Sequence, residues 1–455
     1  MLRRKFTSVI EKYLTEDNDK ILLVNGARQI GKSYLIRYVG TKLFRHYIEI
    51  NLQEDKENQA VFANVHSTQE MYLQVAALAK TKLGNKSDTL IFLDEIQAYP
   101  HLLTMLKFLN QEGVYQFIAS GSQLGIALYE TPSVPMGSVA IETMYQLDFE
   151  EFLWAYGVAE HAIDEIKQYF DNKQSLPDGM HRYMLQLFRY YLLVGGLPEA
   201  VNKFLPARNI REVRKVHKSI HELYRTDASQ YDRERKLLIR RIYDMIPSQL
   251  ENKKKRIVYK NIESKKGKRF SDYQDEFEYL IESGITLDVK AVSQPQYPLA
   301  ESSSKNLIKL YLNDVGLLTY LLYGMNINAI LQNEQSINLG AVYESVVAQE
   351  LRAHGYELYY YDNKKKGEVD FLINDTRFVQ VLPIEVKSGK DYTEHSALSK
   401  FLKEKEYHIH QAIVFSNEQK VYQEQGILYM PIYYAMFLRQ YPSNDVILPE
   451  LEYPA

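Results

Sequence analysis

The chain has 455 residues, 45% apolar and 25% charged, with a formal net charge of −3. This length predicts two to four domains, and the balance is typical of a globular protein rather than a disordered or fibrous one. The absence of cysteine excludes disulfides, thiolate nucleophiles and cysteine-type zinc sites, and the near-neutral charge confines any nucleic-acid contact to local basic patches. No apolar run approaches ~20 residues, so no membrane partner is expected. Residues 1–6 are charged but no long apolar stretch follows them, which predicts a cytoplasmic protein without a signal peptide.

The first element is the apolar run Ile21-Leu22-Leu23-Val24, a buried strand that stops at Asn25-Gly26. Gly26-x-x-x-x-Gly31-Lys32-Ser33 follows and fills the phosphate-loop spacing in full. Its glycines permit unusual backbone angles and close approach of a phosphate. Backbone N–H groups and the N-terminus of the next helix, read at residues 33–38, supply positive potential. Lys32 is expected to reach the outer phosphates and Ser33 to ligate magnesium, so ATP and Mg2+ are the expected cofactors.

Residues 44–52 read as a second strand and residues 71–82 as a helix. "TLIFLDEIQ" (89–97) gives a strand buried on both faces that ends in Asp94-Glu95. Acids at the carboxyl end of such a strand sit where ligands bind in open α/β sheets. Asp94 is expected to hold magnesium through water, and Glu95 to orient and polarise the attacking water. Capping of the next helix is the alternative for the pair. That helix carries Leu103, Leu106 and Leu109. The strand after it (115–122) ends in Ser120-Gly121-Ser122, where a γ-phosphate sensor or a plain turn would lie; Ser122 is the candidate. Repeated strand–helix alternation predicts a parallel sheet with helices on both faces.

Residues 150–230 read as helices, and helical patterns continue in "KLLIRRIYDMIPSQL" and "FSDYQDEFEYLIESGITLDV". Strand-like "ITLDVKAVS" and "LIKLYLND" come next. Three basic clusters, Lys253-Lys254-Lys255-Arg256, Lys265-Lys266-Gly267-Lys268-Arg269 and Lys364-Lys365-Lys366, are solvated loops or nucleic-acid contacts. Farther on, Glu344 lies in a helix ("GAVYESVVAQELRAHG"), "ELYYYDN" is a strand, and Asp370 lies in the strand "GEVDFLI". Fifteen positions later comes Glu385, with Lys387 two residues on and so on the same face of a strand. A helix near 394–403 and the strand "HQAIVFS" complete an αβββαβ series.

"VNGARQIGKS", "FLDEIQ" and "IASGS" resemble an AAA-type ATPase, a class in which an additional strand separates the phosphate-loop strand from the acid strand. "MYQLDFEEFLWA" and "YYLLVGGLPEAV" extend the resemblance over nearly the whole chain. They are similar to a widespread prokaryotic group of ATP-binding proteins, in which an AAA-like module precedes a C-terminal region of unknown function. Gly196-Leu197-Pro198 resembles the Gly-x-Pro element of signalling-type (STAND) ATPases. That likeness implies that Pro198 packs near the nucleotide base; a turn between lid helices is the alternative. Relatives carry a basic residue near "VPMGSVAIE", whereas here Gly137 is followed by Ser138, so the arginine finger stays unassigned among Arg28, Arg189 and Arg225.

Residues 231–310 resemble a winged helix, a unit that binds DNA or only spaces modules. The C-terminal series resembles the PD-(D/E)xK nuclease superfamily. This implies Asp370 and Glu385 as magnesium ligands, Glu344 as a further one, and Lys387 as the group that positions water and stabilises charge on the scissile phosphate.

The expected architecture is α/β: an ATPase core at 1–148, a helical lid at 149–230, a winged-helix-like region at 231–310 and a nuclease-like αβββαβ domain at 311–455. The expected function is an Mg-dependent ATPase whose nucleotide state controls the last domain, with ATP, DNA or RNA, and a second copy of the chain as candidate partners. The alternative is a nucleotide-dependent switch or scaffold that binds a protein partner and whose nuclease-like site is silent. A small-molecule kinase also uses a phosphate loop, but the Asp94-Glu95 pair and the large downstream modules argue against it.

Overall fold

The computed structural model describes residues 1–16, 19–79, 82–122, 124–130, 137–227, 235–252, 255–263, 267, 269–332, 339–363, 365–389 and 391–440. Two compact units emerge, one from residues 1–164, 186–288 and 310–337, the other from residues 165–185, 289–309 and 338–455. Among the described residues no helix is long and apolar enough to cross a membrane. Lys253, Lys254, Lys265, Lys266, Lys268 and Lys364 of the basic clusters, and residues 134–136 of "VPMGSVAIE", lie outside the described residues.

The first unit is built on five parallel strands, β1 (Ile21–Asn25), β2 (His46–Asn51), β3 (Thr89–Asp94), β4 (Gln116–Gly121) and β5 (Val139–Thr143), in the order β2-β3-β4-β1-β5. β4 thus separates the phosphate-loop strand β1 from the acid strand β3. Every residue of β3 is buried, because four consecutive apolar side chains alternate between two helix-covered faces. The helix after the phosphate loop runs over Lys32–Leu43, longer than the sequence segment suggests; Leu35, Ile36, Val39 and Gly40 continue its buried stripe. The helix expected at 71–82 occupies Thr68–Leu78, since a Ser67/Glu70 capping box starts it earlier. β5 went unread because its five residues follow no apolar run.

The lid packs around rings. Phe149 meets Phe188 edge-on at 5.3 Å and Tyr191 at 5.4 Å, and Phe152 meets Tyr191 at 5.3 Å. Such pairs each contribute about 1 kcal/mol beyond their buried area. They hold the helix Phe149–Tyr156 against the chain leading into the Gly195-Gly196 turn, after which Pro198 opens the helix Pro198–Ala207. The helix Ile210–Asp227 completes this layer.

The second unit is built on an eight-stranded sheet of β6 (Thr286–Val292), β7 (Ser303–Leu312), β8 (Tyr359–Asn363), β9 (Gly367–Asp375), β10 (Gln380–Val386), β11 (Ala412–Ser416), β12 (Tyr422–Glu424) and β13 (Ile427–Pro431), in the order β12-β13-β11-β10-β9-β8-β6-β7. β9 pairs antiparallel with both β8 and β10, and β11 joins β10 in parallel. With helices Gly340–Ala353 and Ser396–Leu402, the αβββαβ order appears as read. The two strands that the sequence places after the helix Gln274–Glu282 both form, and β6 pairs in parallel with β8.

Candidate functional site

At the end of β1 the chain turns at Gly26, whose φ is 144°. A Cβ there would lie 2.3 Å from the Met144 carbonyl oxygen, so only glycine fits. Gly31, with φ 94°, opens the helix Lys32–Leu43, and no side chain caps it. Its first N–H groups are therefore available to an anion. Lys32 is buried, 6% exposed, and its Nζ donates to the carbonyl oxygens of Gly26 (2.7 Å) and Ala27 (2.8 Å). These partners carry no charge, and burial pulls Lys32 down to about 8.

Ser33 Oγ donates to Asp94 Oδ2 at 2.7 Å, and Ser120 Oγ donates to the other oxygen. Burial pushes the Asp94 carboxyl up, while the Ser120 and Ser33 hydroxyls pull it back. Glu95 adopts φ 54°, and its Oε2 accepts from Gln97 Nε2 and from Ser122 Oγ at 3.0 Å. Neither acid caps the following helix, Pro100–Glu112, which begins after Tyr99 with proline in its first turn. The Ser33–Asp94 pair is a hard-oxygen donor set of the kind that suits a magnesium ion which keeps most of its waters.

Of the three arginines considered, Arg28 lies among these groups: its Nε donates to Ser122 Oγ at 3.3 Å and its Nη1 to Asp227 Oδ1 at 2.7 Å. Arg225 pairs with Glu222 and Asp244, and Arg189 donates to the Leu331 carbonyl.

A cavity of about 520 Å³ opens beside the phosphate loop, between Gly31, Tyr34 and Leu35 on one side and Pro198, Asn202 and Lys203 on the other. The Pro198 ring stands 3.7 Å from where a Gly31 Cβ would be. Gly196-Leu197-Pro198 is thus a turn between lid helices, and its proline ring faces the loop. A Cβ at Gly196 would lie 2.0 Å from the Leu147 carbonyl oxygen. Gly196 N–H donates to Asp314 at 2.7 Å, and burial raises that carboxyl to about 6.

Sequence reasoning missed Arg4 and Asp314. Buried Arg4 donates to Glu151 (3.1 Å), the Ile30 carbonyl (3.1 Å) and the Tyr145 carbonyl, and so joins loop to lid. Nothing in "MLRRKF" sets it apart from Arg3 or Lys5. Asp314 looks like any helix cap before "VGLLTYLLY".

In the second unit, Asp370 Oδ2 accepts the Val386 N–H at 2.9 Å. Glu385 Oε1 accepts from Lys387 Nζ at 2.8 Å, while its buried Oε2 has no partner. Burial, with Asp370 nearby, pushes the Glu385 carboxyl up to about 8. Lys387 lies one residue beyond the end of β10 instead of within it; its N–H still bonds the Phe415 carbonyl at 2.8 Å, which keeps its side chain turned toward Glu385. Glu344 is buried on the helix Gly340–Ala353 and acts electrostatically on both Glu385 and Lys387.

One further residue belongs here. Lys309 of β7 is fully buried, with its Nζ 2.5 Å from Glu368 and 4.4 Å above the Tyr360 ring. Burial alone would lower it, but Glu368, Glu344 and Asp370 outweigh that and leave it raised. No signal in "LIKLYLND" beyond a lysine between apolar neighbours marks it. No three of the four carboxylates bring one oxygen each within 4.8 Å of one another. Oxygen donors with one buried, unpartnered oxygen fit a hard divalent cation.

Residues 18–153 match a family model described as an AAA domain, and residues 185–328 and 339–435 match two models described as domains of unknown function, DUF8612 and DUF4143. No curated protein matches. Similar solved structures include the Walker-type ATPase PABY2304 of Pyrococcus abyssi, 15% identical over 71% of this chain and 96% of that one, with a TM-score of 0.43. The Aeropyrum pernix ORC1 protein in complex with DNA is 15% identical over 72% and 92%, with a TM-score of 0.29. The Thermotoga maritima RuvB Holliday junction branch migration motor is 15% identical over 65% and 88%, with a TM-score of 0.28. These scores are too low for the likenesses to bear on function. The AAA-domain match and the strand order agree, and residues 18–153 form an AAA-type P-loop ATPase domain.

Proposed function

We propose that this ATPase domain hydrolyses Mg-ATP and that its nucleotide state controls a nuclease-like, nucleic-acid-binding domain in the second unit. The observation that carries the first half is the buried Lys32 ammonium, held only by neutral carbonyls beside an uncapped helix N-terminus. Its hydrogen bonds bring it no anionic partner, Asp94 and Glu95 acting on it without bonding it, and a triphosphate supplies one. In this reading Gly26, Gly31 and Lys32 bind the phosphates, and Ser33 and Asp94 hold magnesium, which neutralises phosphate charge when bound. Glu95 orients the attacking water, Ser122 senses the γ-phosphate, and Pro198 borders the base. Arg28 joins them, because it bonds both Ser122 and the last residue of a lid helix.

The second half rests on Glu344, Asp370, Glu385 and Lys387. Asp370 and Glu385 would be the main ligands of a divalent cation, and Glu344 a further one. That ion supplies Lewis acidity toward a phosphodiester, while Lys387 holds a water and counters charge on the scissile phosphate. The four-segment organisation, with a winged-helix-like region at 231–310, belongs to the same proposal. A nucleotide-dependent switch or scaffold that binds a protein partner and whose nuclease-like site is silent is the second reading, and the Lys309–Glu368 pair, which already places a cation beside the acids, favours it.

Cleavage of single- and double-stranded DNA and RNA, with magnesium or manganese and with or without ATP, tests the proposal beside Lys387→Ala. Cleavage that requires Lys387 and changes with ATP is the expected result. No cleavage under any condition would transfer the case to the switch.

A further inference from the structure

The acid cluster of the second unit holds two lysines, and only one of them has a place in the reading above. Lys387 stands at the end of β10, paired with Glu385. Lys309 comes from β7, with no solvent exposure, and its ammonium passes over the Tyr360 face to reach Glu368. Glu368 and Asp370 are two apart on β9 and so share a face. Lys309 also acts electrostatically on Glu344 and Asp370. Its charge therefore contacts one acid of the cluster and is felt by two more.

Charge counts decide what such a cluster can take. With a cation bound, which would release the proton that burial keeps on Glu385, Glu344, Glu368, Asp370 and Glu385 carry four formal negative charges, and Lys309 and Lys387 carry two positive ones. The difference of −2 is the charge that one divalent ion cancels; a second ion would leave a buried excess of +2, which low-dielectric surroundings make costly. One ligand position is visibly unused: Glu385, 6% exposed, has its Oε2 without a partner. A buried carboxylate oxygen in that condition calls for a cation or a donor.

We propose that Lys309 is a resident cation of this cluster, standing where a second metal would otherwise bind, and that it limits the site to a single divalent ion. The inference rests on the reading of the cluster as a metal site. It converts the generic two-metal arrangement for phosphodiester chemistry into one ion plus a fixed ammonium.

Manganese binding to the full chain without nucleotide, followed by electron paramagnetic resonance and calorimetry, tests it. Ions are counted at this site as those lost in Asp370→Asn. One ion is expected in the wild type. Lys309→Met should bind a second ion, or bind the first at least about tenfold more tightly, as removal of one nearby positive charge predicts. Lys309→Arg keeps the charge and should keep the count at one. If Lys309→Met fails to fold by circular dichroism, Glu368→Gln replaces it: loss of one carboxylate should weaken manganese at least about tenfold, and unchanged binding overturns the proposal. Two ions in the wild type overturn it, as does one ion whose affinity Lys309→Met leaves unchanged; both leave the metal-site reading intact. No ion in the wild type or in Lys309→Met overturns that reading together with this one.

Discussion

Both candidate sites are built around buried or half-buried lysines, and the lysines are held in opposite ways. In the first unit Lys32 rests on two backbone carbonyls, which accept its hydrogen bonds but return no charge, and it falls to about 8. In the second unit Lys309 and Lys387 rest on carboxylates, and both are raised despite burial. Lys32 bonds no carboxylate, with Asp94 and Glu95 acting on it without bonding it, whereas Lys309 and Lys387 each bond one. The same residue type thus prepares one pocket for an anion and the other for a cation. A lysine in a sequence does not say which; its partners do.

The largest test of that contrast is Lys32→Ala. Removing a preorganised charge from a phosphate site costs about a hundredfold or more in turnover, so ATP hydrolysis should fall at least that far in a phosphate-release assay. The apo protein should melt close to the wild type, because the lost ammonium is buried with no carboxylate bonded to it and only the pull of Glu95 and Asp94 offsets that cost. An unchanged ATPase rate would remove the assignment of the loop, and a large drop in melting temperature would show that the carbonyl contacts stabilise the fold. Asp370→Asn is the mirror experiment. It should abolish nucleic-acid cleavage while leaving ATP turnover within about twofold, since it relieves repulsion in a cluster with excess negative charge. Equal cleavage by that variant would take Asp370 out of the site.

Proton linkage gives a smaller effect with a definite sign. An unfolded lysine titrates near its usual 10.5, and folded Lys32 near 8. Between these values the folded apo state binds fewer protons than the unfolded state, so apo stability rises with pH across that window. A bound triphosphate favours the charged amine, so above about pH 8 ATP binding takes up a proton and affinity falls as pH rises, by at most about tenfold per pH unit. Calorimetry at pH 8.5 in two buffers of different ionisation enthalpy measures that proton. Trp154, the sole tryptophan, lies 4.4 Å from the Arg3 guanidinium in the N-terminal segment that borders the cavity, and its fluorescence gives an independent affinity. Zero proton uptake would mean that Lys32 is already charged in the apo state and that its surroundings are less dry than they look.

How far the sequence carried depended on how local each signal is. Gly26, Gly31, Lys32 and Ser33 stand within one turn of chain, and Asp94-Glu95 closes an apolar run, so their meeting follows from a single rule about where strands of a parallel sheet end. β4 between β1 and β3 followed from the resemblance and the alternation. The αβββαβ order was legible for the same reason: each strand and helix has its own periodicity. What escaped is non-local. Arg4 reaches Ile30, Tyr145 and Glu151, and Asp314 reaches Gly196; these pairings are separated by tens to more than a hundred residues, and neither residue has a motif. Lys309 escaped because a lysine on an edge strand is ordinary, and nothing local shows that its side chain is buried against Glu368. Lys387 followed from spacing: β10 ends at Val386, yet the Lys387 N–H keeps its bond to Phe415 and the side chain meets Glu385, as the two-residue period predicts.

The smallest expected effect concerns Pro198, and it separates the two halves of the nucleotide. The ring faces Gly31 and lines a cavity whose walls do not include Asp94, so it can touch a base or sugar but offers nothing to a phosphate. Pro198 opens its helix, where proline is favoured but alanine is tolerated. Pro198→Ala should therefore fold normally and lose only part of one apolar contact, about 1 kcal/mol or roughly fivefold in ATP affinity. Inorganic tripolyphosphate, which has no base, should bind the variant and the wild type alike. Loss for both ligands would mean that the proline acts by setting the loop backbone. Loss for neither would place the base elsewhere than in this cavity, and the resemblance of Gly196-Leu197-Pro198 to a base-contacting element would then reduce to a shared turn.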